Sequence, residues 1–220
     1  MSYWDPDNFN SLYYTGPLGF IAKSQHYLLE AKYTKRDFFA CTLELAATNG
    51  YHFKFITHGF NEYLMLDIRR NEQIIKVASE NYNVKFVEDD ATYLNTISSN
   101  SIDRLLTTCL LHHLADPSLA LENWIRVLKQ GGVLDILMPC EPTTLWKIGR
   151  LFFVAIKFQN ISQVRAYYAQ IKTEHVQTYK NLLHLLQINR HIKIISSHNW
   201  PFRHLPWYLN IWSVIRISKI

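Results

Sequence analysis

The sequence predicts an α/β fold: a mostly parallel sheet with helices on both faces, closed by an antiparallel C-terminal hairpin. Three observations carry this expectation. Five short apolar runs alternate with helical patterns between residues 38 and 140, the rhythm of consecutive strand–helix–strand units. These runs are continuously apolar, as strands buried on both faces are. Two further strand-like runs, 192–196 and 209–217, bracket a segment dense in proline and aromatics; they read as the closing hairpin.

The elements follow in order. Residues 1–20 are rich in Tyr, Asn, Asp and Gly and read as an irregular lead-in. Residues 21–35 have helical spacing, with Ile21, Tyr27, Leu28 and Leu29 as core contacts. The first strand is 38–45; the small-residue turn Ala46-Ala47-Thr48-Asn49-Gly50 ends it, and a helix is expected over 51–58. Residues 62–68 read as the second strand, 71–80 as a helix, and 84–87 as the third strand, ending in Glu88-Asp89-Asp90. After a turn at Ser99-Asn100-Ser101, residues 102–106 form the fourth strand. Residues 117–129 read as a helix with Leu119, Trp124 and Leu128 on one face, stopped by Gln130-Gly131-Gly132 before a fifth strand at 133–138. Residues 146–158 are basic and aromatic, and 164–188 read as one long helix or two.

The chain has 220 residues with 48% hydrophobic and 19% charged, enough apolar side chain for a core and against wholesale disorder. That length fits one domain: a lead-in and helix over 1–37, a binding core over 38–140, and a basic lobe with closing strands over 141–220. The longest apolar run, 151–156, falls far short of the roughly 20 residues a spanning helix needs. Asp5 and Asp7 stand where a signal peptide would carry lysines and an apolar stretch, which argues for a cytoplasmic protein. Three separated cysteines suggest neither a disulfide framework nor a metal site, and none of the ten histidines stands at a zinc spacing, so no metal is expected. Net charge is −4 over residues 1–140 (12 Lys+Arg, 16 Asp+Glu) and +9 over 141–220 (11 Lys+Arg, two Glu). A basic C-terminal third suits an anionic partner: a nucleotide-linked or phosphate-bearing substrate, nucleic acid or a membrane surface.

In open α/β sheets ligands bind beyond the carboxyl ends of the strands. Acidic residues stand at three such ends: Glu44 on strand one, Asp67 on strand two, and Asp89 and Asp90 after strand three. A carboxylate closing strand two is placed to accept both hydroxyls of a ribose, and Asp90 to accept from the exocyclic amine of an adenine. The small-residue turn lets the backbone approach such a ligand closely.

These segments resemble the class I S-adenosylmethionine-dependent methyltransferases. TLELAATNGYH is similar to the family's first motif, EYLMLDI to its second and VKFVEDDATYL to its third; SIDRLLTTCLLHHLADP and ENWIRVLKQGGVLDILMP resemble the stretch around strands four and five. The resemblance covers residues 38–140 and implies a Rossmann-like, doubly wound fold with S-adenosyl-L-methionine as cofactor. It implies a cofactor set of Glu44, Ala46, Gly50, Asp67, Ile68, Asp90, Ala91 and Thr108. Two motif glycines are replaced by Ala46 and Thr48. Ala46 is expected to fit where backbone runs extended; Thr48, being β-branched, resists positive φ and would narrow the pocket.

The ends of the chain are more loosely similar to bacterial methyltransferases of surface-polysaccharide biosynthesis, which implies a sugar or sugar-linked acceptor. The methyl group is already a good electrophile, so the protein aligns the reactants, and a hydroxyl acceptor gains from a general base. His113, at the end of strand four, is the expected base. Tyr14 and His175 are expected on the acceptor, with Glu174 raising the basicity of His175. Residues 146–158 are expected either as a lid helix or as a peripheral membrane contact. Two alternatives remain open: a catalytically silent methyltransferase-like subunit, favoured by Ala46 and Thr48, and an RNA methyltransferase, for which no RNA-binding motif is visible and which makes a nucleic-acid partner unexpected.

Overall fold

A computed structural model describes residues 13–16 and 19–220; the expected lead-in over 1–20 lies largely outside them. The described elements are helix α1 (Gly19–Glu30), β1 (Phe38–Leu45), β2 (Gly59–Asp67), α2 (Glu72–Glu80), β3 (Val84–Glu88), β4 (Ile102–Thr108), α3 (Pro117–Val127), β5 (Leu128–Pro139), α4 (Thr144–Lys157), α5 (Ile161–Glu174), α6 (Tyr179–Ile188), β6 (Ile192–Trp200) and β7 (Trp212–Lys219). The seven strands form one sheet in the order β3-β2-β1-β4-β5-β7-β6. β1 to β5 pair in parallel, and β7 runs antiparallel to both β5 and β6. The expected closing hairpin is therefore present.

Successive residues of the inner strands point to opposite faces, and both faces are dry. Leu105, Ile136 and Ile215 pack with Trp124 of α3 and Leu182 of α6. Their neighbours Leu106, Leu137 and Val214 pack with Leu29 of α1, and Tyr63 and Met65 with Ile74 of α2. This double cover explains why the strands read as unbroken apolar runs.

Several expected boundaries move. Residues 51–58 form only a 3-10 turn at Tyr51–Phe55. β2 starts at Gly59, three residues earlier than its apolar run. Gln130-Gly131-Gly132 does not separate a helix from a strand: α3 ends at Val127, and residues 129–132 bulge out of β5 opposite Asp103. Gly131 takes φ 73°, and a Cβ on Gly132 would lie 2.8 Å from the Lys129 carbonyl oxygen, so glycine permits the bulge. The buried face of α3 is Ala120, Leu121, Trp124 and Ile125, not the Leu119–Leu128 face. The 164–188 region is two helices, α5 and α6, broken at 175–178. β6 runs on to Trp200, and Trp207–Leu209 is a 3-10 turn rather than the start of β7.

The largest departure is in α1. Tyr27 is exposed, and the face turned to the sheet carries Gln25, His26 and Glu30 beside Leu29. These polar groups belong to a buried chain. His26 pairs with His52 (2.9 Å), His52 with Glu30 (3.1 Å), and Glu30 takes both terminal nitrogens of Arg104 (3.0 and 2.6 Å). Arg104 also holds Asp135 Oδ2 (2.9 Å), which accepts from the Tyr33 hydroxyl too, while Arg216 binds Oδ1.

Burial opposes ionisation of Glu30, but His52 and Arg104 outweigh it and bring its pKa down to about 2. Burial and neighbouring His52 hold His26 well below the usual imidazole range. In both cases the unfolded chain binds protons that the folded chain does not, so stability falls as pH falls. The His26 contribution starts to go below about pH 6.5. Glu30 contributes fully above about pH 4.5 and is lost on the way to pH 2, an effect of about 3 kcal/mol. Glu44, whose pKa burial raises, works in the opposite sense. Urea midpoints measured from pH 7 to pH 3 should decline throughout, and the decline below pH 5 should flatten in Glu30→Gln; a flat wild-type profile would contradict the network's role.

Candidate functional site

The strand order reverses at β1, which has β2 on one side and β4 on the other. A cavity of about 700 Å³ opens over the carboxyl ends of β1, β2, β4 and β5, and among the expected site residues Glu44, Ala46, Asp67, Ile68, Thr108, His113, Tyr14 and His175 line it. That volume lies within the usual range of small-molecule sites. A more open concavity of about 560 Å³ between α1 and the Tyr51–Phe55 turn does not reach the strand ends.

The turn after β1 is left-handed at alternate positions: Ala46 and Thr48 at φ 52°, Gly50 at φ 73°. Ala46 is thus not extended, contrary to expectation, and both non-glycine residues adopt the conformation that glycine would take. Such a conformation costs about 1–2 kcal/mol per residue, offset here by the bonds that hold the turn. Ala47 N–H donates to the Leu66 carbonyl (3.0 Å), Thr48 N–H to Asp67 Oδ2 (2.9 Å), and Asn71 Nδ2 to the Thr48 carbonyl (2.5 Å). The Thr48 hydroxyl turns back onto the Ala46 carbonyl (3.1 Å). Thr48 therefore forms part of the wall, and the cavity remains.

Asp67 Oδ1 accepts from Arg69 N–H (2.9 Å), and each carboxylate oxygen keeps a further lone pair. Burial raises the Asp67 pKa, while these N–H donors pull it down. Glu44 is buried and accepts from Tyr63 (2.7 Å). Gly50, Asp90 and Ala91 do not line the cavity. Gly50 backs onto Val77 and Met65, Asp90 accepts from Thr92 N–H (2.7 Å), and the Ala91 carbonyl anchors Trp124 of α3 (2.7 Å).

The opposite pole lies past β4. Cys109, at φ 55°, turns the chain into a short 3-10 turn at Leu111–His113. The loop after α5 docks on this turn: Val176 and Gln177 N–H both donate to the His112 carbonyl (3.1 Å each), and Tyr179 N–H to the Glu141 carbonyl (3.0 Å). His175 is thereby held against His112 and His113, with ring centroids 4.6 and 4.8 Å away. Its carboxylate partner is Glu141 (2.5 Å), not Glu174, whose side chain faces Gln170. His113 Nδ1 donates to the Glu174 carbonyl (3.1 Å), so its Nε2 carries a lone pair. Burial brings the His113 pKa down to about 4 and holds His112 well below the imidazole range.

The 146–158 segment is helix α4, and one stripe of it closes the cavity: Trp146, Gly149, Arg150 and Phe153. Arg150 lies over the Trp146 ring (3.3 Å) and faces both Glu141 oxygens at 3.5 Å. The opposite stripe, with Ile148, Leu151, Phe152 and Ile156, is exposed. Of the basic residues in 141–220, Arg150 lines the cavity; Lys147 and Lys157 do not. Tyr14 is buried, stacks on Tyr51 (3.8 Å) and bonds to His26 (2.7 Å), which ties the lead-in to α1.

Sequence reading placed Arg150 in a lid stretch and Asn49 in the turn, but missed Glu141 and gave Asn49 no role of its own. Asn49 is buried at the turn with Nδ2 unpartnered, a donor aimed at no protein group. Its place in the small-residue turn was a usable signal. The approach of Glu141 and Arg150 to His175 had none, since it depends on how the last third folds back.

Residues 43–136 match the family model described as a methyltransferase domain. No curated protein matches. Among solved structures, the chain is similar to the [4+2]-cyclase SpnF (14% identity, TM-score 0.66, covering 99% of this chain and 93% of that one). It is also similar to the N-methyltransferase NodS from Bradyrhizobium japonicum in complex with S-adenosyl-L-homocysteine (11%, 0.61, 98% of each). A third is the complex between the Haloferax volcanii Trm112 methyltransferase activator and a methyltransferase described there as putative (12%, 0.63, 98% and 95%). These likenesses concern the fold; a cyclase among them shows that the fold alone does not set the reaction.

Proposed function

We propose that this chain, a class I S-adenosylmethionine-dependent methyltransferase, methylates a hydroxyl of a small, sugar-like acceptor held at the histidine pole. The observation that carries this reading is the lining of that pole. Hydrogen-bonding groups (His113, His175, Thr173, Arg150) alternate with the rings of Trp146, Phe153 and Tyr167. Aromatic rings cover the C–H faces of a sugar, and the neutral imidazole of His113 accepts from a hydroxyl.

When bound, S-adenosylmethionine supplies an electrophilic methyl group. Glu44, Ala46, Asp67, Ile68 and Thr108 are assigned to hold it, Asp67 through ribose hydroxyls; Asn49 Nδ2 adds a donor. Gly50 shapes the turn from behind, and Asp90 and Ala91, off the wall, are left out of the set. His113 Nε2 receives the acceptor's proton, Tyr14 packs the boundary between the two poles, and α4 excludes water.

The basic lobe acts at a distance, since Arg150 is its contribution to the cavity wall. A phosphate-bearing acceptor is favoured by that arginine and by the +9 field of residues 141–220. The exposed apolar stripe of α4 supports a resting place on a lipid surface where a lipid-linked sugar is presented; no described helix is long and apolar enough to cross a membrane. The test is a methyl-transfer assay on paired neutral and phosphorylated sugars at low and high salt. Transfer to oxygen, faster on the phosphorylated member and less so at 1 M salt, where the Debye length is about 3 Å, is expected. Transfer to RNA or amines with none to sugars would contradict the reading.

A further inference from the structure

We propose that His112, His113 and His175 form a binding site for a divalent transition-metal ion of the zinc class, at the acceptor pole of the cavity. Among the described residues, theirs are the metal-ligating groups that converge: one nitrogen from each lies within 4.8 Å of the others. His112 is 3% exposed and the His175 side chain 8%. His112 Nδ1 and His175 Nε2 are buried with no hydrogen-bond partner. A buried polar atom left so costs about 1–3 kcal/mol, and two such atoms facing one cluster call for a shared partner.

The other ring nitrogens are held as they are in metal sites. A metal-ligating histidine nearly always gives its second N–H to a carboxylate or a carbonyl, which fixes the ring and turns the remaining lone pair to the ion. His175 Nδ1 meets Glu141 (2.5 Å), and His113 Nδ1 meets the Glu174 carbonyl (3.1 Å). The Glu174 carbonyl can only accept, so the His113 proton sits on Nδ1, and a bound cation would hold His175 in the same tautomer, with Nδ1–H toward Glu141. His112 Nδ1 and His175 Nε2, both buried and unpartnered, stand beside His113, and one shared cation would satisfy both atoms at once.

Zinc binds imidazole nitrogen at about 2.0–2.1 Å, which puts tetrahedral nitrogens about 3.4 Å apart. Side-chain rotations moving each nitrogen by roughly 1 Å would close the present spacing to that value. Three histidines with a fourth position open to a cavity is the pattern of catalytic rather than structural zinc. An all-nitrogen set disfavours magnesium and calcium, which take oxygen.

The inference rests on the reading of this pole as the acceptor's end. His113 Nε2 cannot hold a proton and a cation together, so the loaded ion replaces it in polarising the acceptor hydroxyl. The acceptor oxygen keeps the electron pair of its O–H bond for the methyl carbon, and the proton leaves to water.

The test uses untagged full-length protein, stripped with chelator and titrated with Co(II) while visible absorption is recorded. One equivalent should bind with the strong absorption of a four-coordinate site, be displaced by Zn(II), and disappear in His112→Ala and His175→Ala. His184→Ala, at an exposed residue of α6, should bind as wild type does. Thermal melts establish that each variant folds, and His113→Gln is the substitute for any that does not. No uptake, or uptake that survives His175→Ala, overturns the proposal. S-adenosylmethionine binding, measured by calorimetry on the same stripped protein, separates the two claims: binding of it without Co(II) uptake overturns the metal site alone, and Co(II) uptake without it overturns the methyltransferase reading alone.

Discussion

Arg104→Ala is expected to cost about 3–5 kcal/mol of folding stability, the scale of removing one partner from a buried ion pair. Arg104 is fully buried, makes three hydrogen bonds to Glu30 and Asp135, and lies over the Tyr33 ring (4.0 Å). Its loss falls unevenly. Asp135 keeps Arg216 and Tyr33, whereas Glu30 keeps only His52. The penalty therefore concentrates on Glu30, and Arg104→Met with Glu30→Gln should recover part of it, because the second change removes the stranded charge. Arg104→Lys should remain costly, since an ammonium cannot form the two-pronged contact. In a chain this long each kcal/mol moves the melting midpoint by roughly 2–4 °C. Urea denaturation of the four proteins checks the account; a single-variant loss below about 1 kcal/mol would mean that the network is not structural.

In protein stripped of metal with chelator, His113→Ala is expected to lower the turnover rate by about 10²–10⁴-fold, the usual contribution of a positioned base, or about 3–5 kcal/mol of barrier. The affinity for S-adenosylmethionine should stay unchanged, because the turn at 46–50 and Asp67 stand at the other pole. Single-turnover rates with a methyl acceptor, beside calorimetry of cofactor binding, read the two effects apart. A turnover rate within threefold of wild type would remove His113 from the reaction.

The sheet was legible because its strands are apolar runs of the right length, separated by helices with clear stops; that reading needs only local pattern. The inward face of α1 was not, because Glu30 and His26 look like surface residues until Arg104 and His52 arrive from elsewhere in the chain. The Gln130-Gly131-Gly132 stop misled for a related reason: glycine marks a bulge as readily as a turn, and only the pairing with β4 tells which. At the site, strand-end acids Glu44 and Asp67 fall on the cavity wall because strand ends fix them. Asp90 was read by the same rule, but it lies off the cavity wall, where one of its oxygens accepts from Thr92 N–H. His113 and His175 stand 62 residues apart, and no spacing rule joins them; the meeting is made by the backbone bonds between the 175–178 loop and His112.

The central claim is that the cavity over β1, β2 and β4 holds S-adenosylmethionine through Asp67. The most direct measurement is calorimetric titration of S-adenosylmethionine into wild type and Asp67→Ala, with Arg70→Ala, exposed and off the cavity wall, as a control for surface charge. Wild type should bind one equivalent, and Asp67→Ala should bind at least tenfold more weakly, the loss of about 1.5 kcal/mol expected when a hydrogen bond to a charged group is removed. Equal affinity in wild type and Asp67→Ala, or no binding by a wild-type protein that melts cooperatively, would contradict the account.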